Sequence, residues 1–567
     1  MEINKINNLL ELFYHQYEKQ KKNDIFLESL KEPKKKYSWE DVYLSINKLS
    51  EEISKHINKG DRCLLISENR PEWMITDISI MLSKGITVPA YTTYMERDYE
   101  YIIDNCEPCL VFVSDQTQYN KIKNLISKKK FIKKVIMFDP INNFNDDFNL
   151  NINDIFKNQK YRVKNFLDLK IQRKDMACII YTSGTQGNPK GVMLSHGGIL
   201  SNCEGSCELL KPIVSDNPKF LTWLPLSHSY EHTIQFVQIA VAAKVFYAES
   251  IEKLIKNMSE CSPEIMTAVP RFYQNLYQKI NATFAKASGL KKFLINNTVK
   301  LGKKKLFNNR INMIEIFLNF ICEKLVRKKI KNQFGGNLKA FVSGGGALDK
   351  EVGSFLNSIG LPTLQGYGLT ETSPVVSCNP INNIRVETVG PPFKENLVKI
   401  AADGEILVKG ENVMMGYWKN EKETNKVLKN GWLHTGDIGE FNNNFLKITD
   451  RKKDIIITPG GDNISPIKIE NDLIKINFIE QVLVYGDNKP FLVSLIVLSP
   501  DQKGLTNDKI KEQIEKINKN LSKIEKIKKF IVIKKQFTIE NGMMTPTLKL
   551  KRYKIIKKYQ IELDNLY

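Results

Sequence analysis

The stretch with the clearest chemical potential is Tyr181-Thr182-Ser183-Gly184-Thr185-Gln186-Gly187-Asn188-Pro189-Lys190-Gly191. It holds three hydroxyls, three glycines ahead of or beside a lysine, and few bulky groups. Glycine lets backbone N–H groups close on an anion, and a nest of such groups binds phosphate oxygens. The hydroxyls of Thr182, Ser183 and Thr185 add donors, and Lys190 adds a mobile positive charge. The G-x-x-x-x-G-K-[ST] spacing of a Walker loop does not occur here. The alternative reading is a plain Gly/Ser/Thr hairpin turn.

Two more glycine loops follow. Ser343-Gly344-Gly345-Gly346-Ala347-Leu348-Asp349 comes after the apolar run Leu338 to Val342, and a helix is expected from near Asp349. Gln365-Gly366-Tyr367-Gly368-Leu369-Thr370-Glu371-Thr372 comes after Leu361 to Leu364. Successive strand–loop units of this kind make a crevice at the carboxyl ends of strands, where nucleotides bind in open α/β sheets. Gly345, Gly346, Gly366 and Gly368 give flat access for a base, and Tyr367 offers a ring to stack on it. Glu371 is a hard oxygen ligand suited to Mg²⁺ beside phosphates. Ordinary βα turns are the alternative. Leu224-Pro225-Leu226-Ser227-His228 reads as a strand entering a polar corner, where a histidine is more often structural than catalytic. Asp437, at a predicted strand end, can accept from two ribose hydroxyls.

These groups need a scaffold. Leu9, Leu10, Leu12, Phe13 and Tyr17 recur at helical spacing, and Ser38 with Asp41 predicts a capped helix to His56. Strands are expected at Arg62–Ser67, Gly85–Tyr91 and Leu110–Ser114, with an apolar helix over Trp73–Leu82. Met176 to Ile180 and Val192 to Leu194 predict strands on either side of the Lys190 loop. The alternation of strand and helix argues an α/β architecture.

The chain has 567 residues, 42% of them apolar, enough for more than one domain. Net charge is +21, with lysines spread along the chain, which reads as a solvated basic surface rather than a nucleic-acid site. Nine cysteines without zinc spacing predict reduced, mostly buried thiols. Neither a signal peptide nor an apolar run of membrane-spanning length is read, so the expected place is the cytoplasm.

The loop around Lys190 resembles the phosphate loop of the adenylate-forming enzymes, and Ser67-Glu68-Asn69-Arg70-Pro71-Glu72-Trp73 and Val88-Pro89-Ala90-Tyr91-Thr92-Thr93 resemble long-chain acyl-CoA synthetases in particular. The resemblance runs along nearly the whole chain. It implies a large N-terminal domain of layered α/β sheets and a small mobile α+β C-terminal domain, divided as 1–452 and 453–567. It implies a fatty acid–CoA ligase that uses ATP, CoA and Mg²⁺, by way of an acyl-adenylate. In that pattern Thr182, Ser183, Gly184, Thr185, Gly187 and Lys190 handle phosphates. Gly345, Gly346, Gly366, Tyr367 and Gly368 hold adenine, Thr370 and Glu371 face phosphate and metal, and Asp437 holds ribose. His228 borders the reacting carboxylate, and His232 stands where many relatives have Arg. Arg451 reaches ATP, Lys453 is the pivot, and Gly460 and Gly461 line the CoA tunnel, with Asp462 where many relatives have Lys. Thr545-Pro546-Thr547-Leu548-Lys549 matches the motif whose lysine, here Lys549, enters the site on a swinging loop; alternation puts Lys551 on the same strand face. A fatty acyl-AMP ligase that loads a carrier protein, and a non-enzymatic fatty-acid- or anion-binding protein, are the alternatives.

Residues 281–334 stand apart. Lys291-Lys292, Lys303-Lys304-Lys305 and Arg327-Lys328-Lys329 flank apolar pieces such as Ile314 to Leu325. The expectation is a surface helical insertion with its apolar face on the core. The alternative is peripheral docking on an anionic membrane, at its inner face.

Overall fold

The computed structural model describes residues 2–140, 148–182, 189–460, 462–500, 505–545 and 548–567. By its own contacts the chain divides into two compact units, Met1–Val398 with Val408–Leu433, and Lys399–Leu407 with His434–Tyr567.

The larger unit is built on two eight-stranded sheets. One runs in the order Val375–Cys378, Thr363–Gly368, Ala340–Ser343, Ile265–Ala268, Lys219–Thr222, Lys244–Tyr247, Ile25–Ser29 and Lys36–Ser38. Its interior pairings are parallel, and only the two outermost are antiparallel. The other runs Gly416–Tyr417, Lys190–Ser195, Met176–Thr182, Ile86–Ala90, Arg62–Ile66, Leu110–Val113, Lys134–Met137 and Asn149–Asn151. Strands between helical layers are covered on both faces, so they read as unbroken apolar runs. Leu110–Val113, Leu-Val-Phe-Val, is buried at every position. Each such side chain contributes about 1.5–3 kcal/mol of burial.

Helix Trp39–Ser54 starts as the sequence predicts. Asp41 N–H donates to Ser38 Oγ at 3.1 Å, and Ser38 N–H donates back to Asp41 Oδ2 at 2.9 Å. Helix Pro71–Leu82 is buried on all sides, so it carries no polar stripe. Its acidic groups are therefore paired inside. Glu72 meets Arg70 at 2.9 Å and Lys35 at 2.6 Å; burial works against its charge, but the two cations hold its carboxyl at about 2.

The smaller unit is α+β. Strands Ile479–Tyr485, Leu492–Leu498 and Ile527–Ile533 form a sheet, with helices Pro466–Ile474, Asn507–Asn518 and Arg552–Lys558 in the same unit. Strands Trp432–Asn442 and Phe445–Arg451 form a hairpin with its turn at Asn443 and Asn444 (φ 47° and 66°). Left-handed backbone at both turn positions matches the twist of the flanking strands, and Asn tolerates it.

Among the described residues all nine thiols are free, seven of them buried. No helix of the described residues is long and apolar enough to cross a membrane. The insertion forms helices Gly289–Leu306, Met313–Cys322 and Lys328–Gln333. The expectation that its apolar face lies on the core is corrected. The first helix buries Ile295, Thr298 and Leu301, but Met313–Cys322 buries only Cys322, and Met313 and Ile314 are 81% and 79% exposed.

Candidate active site

The site residues fall into two groups, one on each unit. On the larger unit, strands Met176–Thr182 and Lys190–Ser195 pair in register, Thr182 opposite Lys190. They bring together the two ends of the loop between them. Ser183, Gly184, Thr185 and Gly187 lie outside the described residues. Lys190 Nζ sits 4.9 Å over the Tyr417 ring and pairs with Glu423 Oε2 at 2.5 Å. Tyr417 Oη donates to Glu371 Oε1 at 2.8 Å. Lys190, Tyr417 and Glu371 thus form one connected chain of contacts. Burial, then the Glu371 carboxylate, pushes the Tyr417 hydroxyl pKa up, so it stays a proton donor at neutral pH. Hydrogen bonds from Lys190 and Lys426 hold the Glu423 carboxyl at about 2.

The glycine loops take their shape from close approach. Gly345 has φ +78°, the left-handed region that favours glycine. A Cβ on Gly368 would lie 1.7 Å from the Pro374 carbonyl oxygen, so only glycine fits there. Gly366, Tyr367 and Gly368 pair antiparallel with Val375–Cys378 and pass directly into the 3-10 turn Thr370–Thr372. Thr370 Oγ1 lies 3.0 Å from Ser229 Oγ, at the start of helix Ser229–Ala240. His228 caps that helix, its Nδ1 accepting from Tyr230 N–H at 3.1 Å. That bond leaves Nε2 to carry the proton of the neutral ring. Asp349 caps helix Lys350–Ser358, accepting from Glu351 and Val352 N–H.

Glu371 is the residue to test against Mg²⁺. Among the described residues no group of three or more His, Cys, Asp or Glu could hold a metal. Magnesium is usually bound by one or two carboxylates, with phosphate and water completing the shell. A single carboxylate oriented by Tyr417 fits a cation that arrives with nucleotide phosphates.

On the smaller unit, the hairpin sets Asp437 opposite Arg451, and Arg451 Nε donates to Asp437 Oδ1 at 2.9 Å. Lys549 closes a turn in which Thr545 N–H donates to the Lys549 carbonyl at 2.8 Å and Lys549 N–H to Thr545 Oγ1 at 3.0 Å. Desolvation first, then the Arg451 guanidinium, lowers the Lys549 pKa to about 8 against the opposite pull of Asp437 and Asp454. The residue as a whole keeps solvent contact. Lys549 and Lys551 do not share a regular strand face: Leu550 makes one bridge to Met544, and Leu548 has φ +60°. Gly460 sits in a turn closed by Thr458 and Asp462, and Gly461 lies outside the described residues. Lys453 is exposed.

A family model described as AMP-binding enzyme matches residues 13–418, and one described as AMP-binding enzyme C-terminal domain matches residues 453–567. The chain belongs to the AMP-binding enzyme family. It is 32% identical to Long-chain-fatty-acid–CoA ligase 5 of Rattus norvegicus, over 89% of this chain and 79% of that protein. It is 29% identical to Long-chain-fatty-acid–CoA ligase FadD15 of Mycobacterium bovis, over 91% of this chain and 89% of that protein. ATP-bound MatB from Rhodopseudomonas palustris shares the fold, with a TM-score of 0.75 at 19% identity over 97% of this chain and 99% of that one.

Sequence reasoning missed two residues of the candidate site. Tyr417 and Glu423 carry no loop motif; a Gly-Tyr pair after an apolar run was the only sign. His232 is also clarified. It is buried, with Nε2 2.8 Å from Asp77 Oδ2 and its ring edge-on to Trp73. Burial opposes its charge, but Asp77 prevails and raises the pKa to about 10. It is a structural ion pair.

Proposed function

We propose that the protein is a long-chain fatty acid–CoA ligase. What supports this reading is the connected chain Lys190–Tyr417–Glu371 at the exit of a phosphate-type loop, in a chain whose relatives are long-chain ligases. In the first step a fatty-acid carboxylate oxygen attacks the α-phosphorus of ATP. The bond from that phosphorus to the bridging oxygen breaks, and pyrophosphate leaves. In the second step the CoA sulfur attacks the acyl carbonyl, the bond to AMP breaks, and the thiol proton is lost.

The chain's residues act by position and charge. Lys190 offsets charge on the phosphate oxygens. Glu371, oriented by the Tyr417 hydroxyl, would hold Mg²⁺ with Thr370 beside it, and the bound cation would neutralise charge building on the phosphates. Gly345, Gly346, Gly366, Tyr367 and Gly368 take the adenine, and Asp437 and Arg451 the ribose and phosphate side. His228, with its Nε2 proton, faces the carboxylate. Lys549 supplies a cation to the first step only. In the second step the domain beyond Lys453 presents Gly460 and Gly461 to CoA instead. Peripheral contact with an anionic membrane completes the reading.

The test is a panel of fatty acids with ATP, Mg²⁺ and CoA, read as thioester and as pyrophosphate. Thioester that needs both ATP and CoA, and rises with acyl length, is the expected result. Adenylate formation without transfer to CoA would overturn the ligase assignment.

A further inference from the structure

The apolar helix left uncovered in the insertion has a defined presentation. Met313, Ile316, Phe317 and Phe320 follow one another at helical spacing, with Phe317 67% and Phe320 54% exposed. Leu290, Phe293 and Leu325 are exposed in the same insertion. Scattered exposed apolar residues need no explanation, but a contiguous set on one short helix does.

The helix is not loosely attached. Arg327, buried just beyond it, donates to the Ser358 carbonyl at 2.8 Å, to the Thr298 carbonyl at 3.0 Å and to Asn319 Oδ1 at 2.9 Å. Cys322 Sγ lies 3.6 Å from the Leu294 carbonyl oxygen. Gly302 is equally constrained, since a Cβ there would meet the Ser358 carbonyl oxygen at 2.3 Å. The inner edge is pinned to helix Gly289–Leu306 and to the end of helix Lys350–Ser358, so the outer edge is held outward.

Charge identifies what covers it. From 289 to 334 the chain has twelve lysines and arginines and two glutamates. Both glutamates are spent inside the segment, Glu315 on Lys304 at 2.6 Å and Glu323 on Arg327 at 3.2 Å. Lys324 lies 4.5 Å over the Phe320 ring, placing a cation at the apolar edge. A second copy docking by the same face would bring these cations against their own kind, which is unfavourable. A bilayer with anionic headgroups takes apolar side chains below its surface and cations at it.

We propose that helix Met313–Cys322 is a membrane-insertion face, seated in an anionic bilayer by Met313, Ile316, Phe317 and Phe320 and held by the surrounding lysines. It rests on the peripheral contact in the functional reading, but on no step of the chemistry.

Co-sedimentation of the full chain with vesicles tests it. The vesicles are phosphatidylcholine alone, or equimolar phosphatidylcholine and phosphatidylglycerol. The expected result is binding to the anionic vesicles that weakens as salt rises. Phe317→Asp with Phe320→Asp should weaken binding by roughly a hundredfold, from two lost aromatic anchors. Lys291→Glu with Lys292→Glu should weaken it about fivefold or more per charge removed and flatten the salt dependence. Thioester formation from a soluble acyl substrate, unchanged in both variants, verifies folding and separates this test from that of the ligase reading. Equal sedimentation with neutral and anionic vesicles would overturn the proposal. So would light scattering that shows a dimer which Phe317→Asp dissociates while vesicle binding persists.

Discussion

The Tyr417 hydroxyl donates a hydrogen bond to Glu371 Oε1 across forty-six residues of sequence, at 2.8 Å. The same ring lies under Lys190. One side chain therefore sets the direction of the candidate metal carboxylate and the resting place of the phosphate-loop lysine.

Tyr417→Phe keeps the ring and removes the hydroxyl. A hydrogen bond to a charged group is worth about 1.5–3 kcal/mol, so adenylate formation should fall about tenfold to a hundredfold, with a higher Mg²⁺ requirement. Glu371→Gln should lose more of the same step. The measurement is pyrophosphate release across Mg²⁺ concentrations. Wild-type dependence in both variants would remove Glu371 from the metal site.

In the proposed function, Glu423, which pairs with Lys190, would compete with phosphate for it. Its carboxyl is held at about 2, so it is ionised throughout the working range. Glu423→Gln should lower KM for ATP severalfold and leave kcat close to wild type. A rise in KM would instead make Glu423 a support that orients Lys190.

Lys549 gives a pH signature. Its pKa is lowered to about 8, so the cation is present below that pH and is lost as pH rises through it. Adenylate formation should therefore decline above about pH 8, while thioester formation from supplied acyl-adenylate should not. Lys549→Ala should lose the first half-reaction by several powers of ten and keep much of the second. Lys551→Ala is the control in single-turnover kinetics of each step. Loss of the first step in Lys551→Ala alone would move the assignment by two residues.

The His232–Asp77 pair is a stability device, and its sign is fixed. Histidine here has a folded pKa near 10, above its unfolded value of about 6.5. Its stabilisation is complete below the unfolded value and disappears as pH climbs through 10. Asp77→Asn leaves a buried histidine without its counter-charge and should cost about 3–5 kcal/mol at neutral pH. Denaturant melts over a pH series check both. An Asp77→Asn variant with wild-type stability would mean that the imidazole is neutral in the folded chain.

The sheets were readable because apolar runs bounded by Gly and Pro leave few choices, as at Leu110–Val113 and Met176–Thr182. The capped start of the helix at Ser38 was equally plain. Glu371 and Lys190 could be found from local loop chemistry. Tyr417 could not, because Glu371 is 46 residues away in a 3-10 turn and Lys190 reaches it from a neighbouring strand far earlier in the chain, and nothing local marks it. The insertion misled for the opposite reason. An apolar helical face predicts burial, but it does not say whether protein or lipid provides the cover.

The free thiols have a bearing on chemical self-damage. An acyl-adenylate is a strong acylating agent, and any thiolate nearby competes with CoA for it. In eight of the nine cysteines burial pushes the thiol pKa upward, to about 12 at Cys106, Cys207, Cys261 and Cys378. Thiolate is the nucleophilic form. Raised pKa values at these eight thiols disfavour their thiolate form, which favours the incoming cosubstrate as acceptor of the acyl group.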